Sequence, residues 1–305
     1  MNRVQRGFDW TAILVLTSFL GSMNPLLSQQ HSSDSLGGTS KRQVWMGPDG
    51  ESLPFKNHEE IEAFLQTAEI IKIEAIPVGV TKPRKILLEK DGVQANSCFK
   101  TVDIHKDKAI LFLPEPNRRL HWRDCCKFEC AAYELSRMLG LDNVLPVVER
   151  EIDDEKGVLQ LWLENALMER KRAKLKLDPP DPRHHEKQMD VLRIFDALVH
   201  NDDRNPTNIL YDPEWKLWML DHTRCFPRVS DLPARNQVKR CERSLWRSLQ
   251  DLDEKAIKQR FKKYLKKAEI KALLERREKL LRHIQTMIEK CGEENVLFTF
   301  SDSEI

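Results

Sequence analysis

Apolar residues change their period part-way along this chain, and few architectures accommodate such a change. From Glu69 they occur in short runs bounded by turn signals, at 70–73, 86–89, 98–102 and 109–113, with Asp91-Gly92 between the second and third. Short apolar runs joined by Asp-Gly are the signature of β-hairpins. A helix is expected over 122–139, with Phe128, Ala131, Ala132, Leu135 and Leu139 on one face and Gly140 placed to stop it. Alternation returns at 144–151 and 158–163. Beyond that the spacing becomes helical: Met189, Leu192, Phe195 and Val199 mark a helix over 185–199, and three long amphipathic helices are expected over 237–250, 254–265 and 269–290. Two short strands, 208–211 and 217–220, flank a turn at Asp212-Pro213. A sheet-rich half carrying one helix and followed by a helical half predicts an α+β fold of two lobes. The β-rich N-lobe would span 54–163 and the helical C-lobe 164–300, with a cleft between them.

The ends of the chain read differently. Arg3 and Arg6 precede an apolar run over 10–20, followed by Gly21 and Ser22, so residues 1–28 read as a signal peptide or short membrane anchor. The run is shorter than the roughly 20 residues of a bilayer span, which favours a cleaved signal. Export or membrane anchoring is therefore the expectation, with a cytoplasmic location as the alternative. Residues 29–53 are expected to be a flexible linker, and 54–68 a short helix with Ile61, Phe64 and Leu65 on one side. Fifty Lys and Arg balance 48 Asp and Glu, which argues against general nucleic-acid binding. The cations are uneven, however. The stretch 255–282 holds Lys262, Lys263, Lys266, Lys267, Arg276 and Arg277, a field suited to an anionic membrane or acidic partner, although a solvated helix face is the plainer reading. Seven cysteines without a C-x-x-C pair point to neither zinc nor a dense disulfide framework.

The chemistry concentrates in His200-Asn201-Asp202-Asp203-Arg204-Asn205-Pro206-Thr207-Asn208. Asp203 and Asn208 lie five apart in a loop between a helix and a hairpin, and Asp221 closes that hairpin. Because a hairpin folds back, Asn208 and Asp221 would lie side by side and present oxygens to one hard cation. Asp203, on the incoming loop, would be left to orient a hydroxyl nucleophile, as phosphoryl transfer requires. Turn formation is the competing use of each of these residues taken singly.

Asp203-Arg204-x-x-x-Asn208 followed by Leu220-Asp221 resembles the catalytic loop and metal-binding aspartate of the phosphatidylinositol 3-/4-kinase-like fold. It looks equally like the atypical secretory-pathway kinases and their bacterial relatives, over about 70–297. The resemblance implies ATP and Mg²⁺ or Mn²⁺ as cofactors, Asp203 as the acceptor-orienting carboxylate, and Asn208 and Asp221 as metal ligands. It further implies Lys100 on the nucleotide phosphates and a glutamate that pairs with that lysine or reaches the metal, Glu129 first and Glu134 as the fallback. Gly79 and Thr81 would contact phosphate from their loop. Trp162 and Leu163 would line an adenine pocket or simply pack in the core. Two departures stand out: Gly79 is alone where common kinases have a glycine-rich cradle, and His222-Thr223-Arg224 replaces the usual Phe-Gly after the aspartate. A pseudokinase acting as an interaction module and an AMP transferase of the same fold are the alternatives. A transition-metal centre using His200, His222 and Asp203 is a weaker one. The acceptor, whether protein, lipid or small molecule, has no readable code.

Overall fold

A computed structural model describes residues 43–76, 82–106, 122–233 and 238–300. Strands β1 (Glu69–Ala75), β2 (Arg84–Lys90) and β3 (Val93–Lys100) form a meander. Lys90 pairs with Val93 across a turn where Asp91 and Gly92 both have positive φ, the backbone that an Asp-Gly hairpin turn demands. Alternation puts Ile86, Leu88, Ala95 and Phe99 on the buried face. After β4 (Asp103–Lys106), β5 (Trp122–Cys125) and helix α2 (Lys127–Met138), strands β6 (Val147–Ile152) and β7 (Glu155–Leu161) complete an antiparallel sheet in the order β1-β2-β3-β7-β6. Helix α1 (His58–Thr67), capped by the Asn57 side chain on the Glu60 amide, lays Ile61, Phe64 and Leu65 against this sheet.

Two expectations fail in this lobe. The linker over 29–53 does not extend to its expected end: Trp45 and Leu53 are buried in the sheet's core, and Trp45 stands 5.3 Å from Trp218. A tight turn closed by Gly47 N to Glu51 O returns the chain so that Met46 bridges Ser52. Its Pro-Asp-Gly composition looks like linker, but it serves to aim two apolar side chains at the core. The helix expected from 122 begins only at Lys127, because Trp122–Cys125 is recruited as a strand against Asp103–Lys106. Cys125 and Cys126 then give their amides to Thr223 O and Val102 O, partners remote in sequence. The segment 1–28, the expected strand 109–113, Gly79 and Thr81 lie outside the described residues.

The second half contains β8 (Leu167–Met168), α3 (Glu169–Leu175), α4 (Pro182–Val199), β9 (Ile209–Tyr211) and β10 (Leu217–Met219). There follow β11 (Cys241–Glu242), α5 (Arg243–Asp251), α6 (Glu254–Phe261), α7 (Lys267–Cys291), α8 (Glu293–Val296) and β12 (Leu297–Phe298). The structure adds α3, which the periodicity does not show. Helix α4 starts at Pro182 under the Asp181 cap, and its inward face joins α5, α6, α7 and α2 in one core. Helix α2 also packs on β6 and β7, so it belongs to both halves. Of the expected basic face, Arg276 is fully buried and donates to Leu198 O, Pro227 O and Val229 O, so its charge is spent inside the fold. Among the described residues no helix is long and apolar enough to cross a membrane.

His58 stacks on Tyr133 and lies 3.0 Å from its hydroxyl. Burial, and then the nearby Arg137 charge, lower its pKa from 6.5 to about 4. Below pH 6.5 the unfolded chain binds this proton more readily than the folded one, so stability present above 6.5 is lost as pH falls toward 4. The thermal midpoint should decline across that window, and His58→Gln should flatten the decline.

Candidate active site

Period-two geometry brings Lys100, at the end of β3, to the face opposite the buried Phe99. Its Nζ lies 2.5 Å from Oε1 of Glu129, in the first turn of α2, and 3.5 Å from Oδ1 of Asp221. The Glu129 side chain is 0 % exposed. A buried carboxylate is tolerated only when paired and hydrogen-bonded. Burial alone would raise the Glu129 pKa, but Lys100 and His222 outweigh it and hold the group ionised, well below the usual carboxylate range. Burial would likewise depress Lys100, yet Glu129 and Asp221 keep its ammonium above its ordinary value.

The pair continues into a buried network. Oε2 of Glu129 accepts from the His222 amide at 3.2 Å and faces His222 Nδ1 at 3.3 Å. On the other side of that ring, Nε2 is 3.1 Å from Arg204 Nη2. A guanidinium can only donate, so Nε2 accepts and Nδ1 carries the hydrogen directed at Glu129. Arg204 forms a fork with Asp196 of α4 at 2.9 and 3.0 Å. Its Nη1 reaches both Asn208 O (2.7 Å) and Leu220 O (2.5 Å), the two ends of the β9–β10 hairpin.

Those ends are tied directly as well, by Leu220 N to Asn208 O at 3.0 Å. The fold therefore sets Asn208 beside the strand end that carries Asp221, as the hairpin argument requires. Asp221 sits at φ 56°, unusual for a residue with a Cβ, and its half-exposed carboxylate meets Lys100 and the Thr223 hydroxyl. Asn208 donates its Nδ2 to Asp203 O, which aligns the loop and leaves its Oδ1 contacted by Thr207 Oγ1 at 3.3 Å. Asp203 is oriented from the far side, where Oδ2 accepts from Arg224 Nη1 at 2.9 Å. Arg224 is anchored in turn by the buried Asp124 of β5, also at 2.9 Å. Among the described residues no three His, Cys, Asp or Glu side chains converge as a metal cage. One carboxylate and one amide oxygen are a donor set for a hard cation whose other positions go to water and phosphate, the usual state of Mg²⁺.

The structure thus brings Lys100, Glu129, Asp203, Asn208 and Asp221 into one connected region. Glu134 points elsewhere, toward Arg260. Trp162 lies under Lys85, and its amide bonds Asn96 O. His200 ends α4 and bonds Asp231 O, while His222 is buried between Glu129 and Arg204, so the two do not form a transition-metal centre. The reading from sequence omitted Asp196, the linking role of Arg204, His222 as a connector, Arg224 and Asp124. An Asp set directly among the apolar residues Ile194, Phe195, Ala197 and Leu198 of α4 was the available sign for the first.

No protein-family model matches this chain. It is 33% identical over 55 residues to 3-deoxy-D-manno-octulosonic acid kinase of Vibrio cholerae serotype O1, a stretch covering 18% of this chain and 23% of that protein. The chain thus spans about a quarter of the curated relative it matches. Two kinds of solved structure are similar over most of the chain. A hydra Fam20 with sugar superposes with a TM-score of 0.59 at 17% identity, covering 79% of this chain and 92% of that one. The Golgi casein kinase with Mn/ADP bound gives 0.56 at 16% identity, covering 79% and 78%. The chain has a two-lobed kinase-like α+β fold.

Proposed function

We propose that this chain is an atypical kinase that transfers the terminal phosphoryl group of ATP to a hydroxyl acceptor in the presence of Mg²⁺ or Mn²⁺. The observation that carries the reading is the buried Lys100–Glu129 pair held against Asp221, on a hairpin that places Asn208 alongside. Lys100 holds the nucleotide phosphates as a cation kept in place by Glu129. Asn208 and Asp221 would hold the divalent ion through their side-chain oxygens, and the ion would supply positive charge to the phosphates. Asp203 accepts the acceptor's hydroxyl proton as its oxygen bonds to the terminal phosphorus and the bond to ADP breaks. Arg224 fixes the carboxylate that does so. A structural neighbour with Mn/ADP bound and a short match to a sugar-acid kinase support this chemistry. The Fam20 and Golgi kinase likenesses favour the secretory-pathway branch of the resemblance over the phosphatidylinositol-kinase branch, and with it export of the chain through residues 1–28.

ATP with Mn²⁺ or Mg²⁺ should raise the thermal midpoint, whereas ATP with chelator should not. At a ligand concentration about a hundred times Kd the gain is about 2.7 kcal/mol. Absence of any metal-dependent rise would count against the nucleotide site. The mass added to an acceptor, phosphoryl or adenylyl, separates the kinase from an AMP transferase.

A further inference from the structure

Residues 168–177, Met-Glu-Arg-Lys-Arg-Ala-Lys-Leu-Lys-Leu, hold five cations and one carboxylate, and Arg172 neutralises that carboxylate, Glu169, through two hydrogen bonds. No residue of α3, which makes up most of this stretch, is buried. Yet Met168, Leu175 and Leu177 stand 36, 53 and 40% exposed, three of the seven exposed large hydrophobics among the described residues. A helix this short without a buried face does not persist by its own propensity. The fold holds it. Arg170 gives its amide to Pro206 O (2.9 Å), and Met168 pairs with Leu210 of β9. At the other end Lys176 adopts φ 54° and Leu177 N returns to Arg172 O at 3.1 Å, while Arg172 Nη1 holds Leu177 O. The leucines are therefore presented to solvent by an ordered turn at the end of α3, and Met168 is exposed at the extended residue that precedes the helix.

We infer that this surface docks on anionic lipid. Cations alone would suit an acidic protein equally well. The aliphatic side chains set among them decide the matter, because an interfacial element gains both from burying apolar groups in the headgroup region and from attraction to negative lipids. The surface is separate from Lys100, Glu129, Asp203, Asn208 and Asp221, and the inference does not depend on the kinase reading. Its contact with Pro206 lies in the loop that carries Asp203 and Asn208, so docking brings that loop close to the bilayer.

Co-sedimentation of the full chain with vesicles of phosphatidylcholine, alone or mixed with phosphatidylglycerol, tests this without nucleotide. The readout is the excess on the anionic vesicles. That excess should shrink with salt and fall by about tenfold or more in Lys171→Glu/Lys174→Glu, from about 1 kcal/mol per cation near an anionic surface. Leu175→Ser/Leu177→Ser should also weaken it, and neither variant should alter the metal-dependent thermal shift with ATP. The inference is overturned by an absent excess, by an excess unchanged in both variants or lost only when Lys262, Lys263, Lys266 and Lys267 are changed, or by capture of polyglutamate but not vesicles.

Discussion

Asp221→Ala is expected to abolish metal-dependent stabilisation by ATP and to lower turnover by about a thousandfold or more, the scale of losing a charge aimed at the reacting phosphate. Two effects combine. The variant removes the anionic member of the Asn208/Asp221 donor pair, and it removes one of the two carboxylates beside Lys100. Glu129 still holds Lys100 at 2.5 Å, so the fold should survive with a near-native melting curve when no nucleotide is present. Asp203→Asn makes the useful contrast. It leaves the Lys100, Asn208 and Asp221 side chains in place, so nucleotide binding should persist while turnover drops by about a hundredfold to ten-thousandfold. Unchanged binding in Asp221→Ala would remove the metal assignment, and retained turnover in Asp203→Asn would remove the proton-accepting role.

Arg204→Met should be the most destabilising single change in the site region, by about 3–5 kcal/mol, because it leaves a buried charge without its counter-ion. Asp196 has 0 % side-chain exposure, and each of its carboxylate oxygens accepts from the Arg204 guanidinium. Asn208 O and Leu220 O would lose donors at the same moment, which loosens both ends of the hairpin. For a domain stable by about 5–15 kcal/mol such a loss is a large share of the total. Urea unfolding would measure it. Pairing Arg204→Met with Asp196→Leu should restore part of the loss, since the orphaned charge goes with its partner. Equal destabilisation in the single and double variants would show that the carbonyl contacts, rather than the ion pair, hold this region.

Several parts of the site could be read along the chain because each depends on short-range geometry. Asn208 and Asp221 bracket two apolar strands and an Asp-Pro turn, and a hairpin has only one way to bring its ends together. Lys100 and Glu129 came instead from the resemblance to atypical kinases: along the chain they are ordinary charges, one at a strand end and one in the first turn of α2. Trp45 was misread because its neighbours Pro48, Asp49 and Gly50 look like linker, and nothing local shows that the indole packs on Trp218. Helix α3 escaped notice for the opposite reason: it has no buried face and so leaves no apolar period.

Local order thus determined the two-lobed α+β character, the hairpin and the placing of Asn208 beside Asp221, since backbone periodicity and turn chemistry act between near neighbours. Folding alone decided that Glu129 meets His222, that His222 meets Arg204, and that Arg224 spans Asp124 and Asp203. These are contacts between charged or polar groups, buried or partly buried, and two of them join residues 93 and 100 positions apart. Coulomb attraction depends on distance through space and on exclusion of water, and neither quantity exists until the chain has packed.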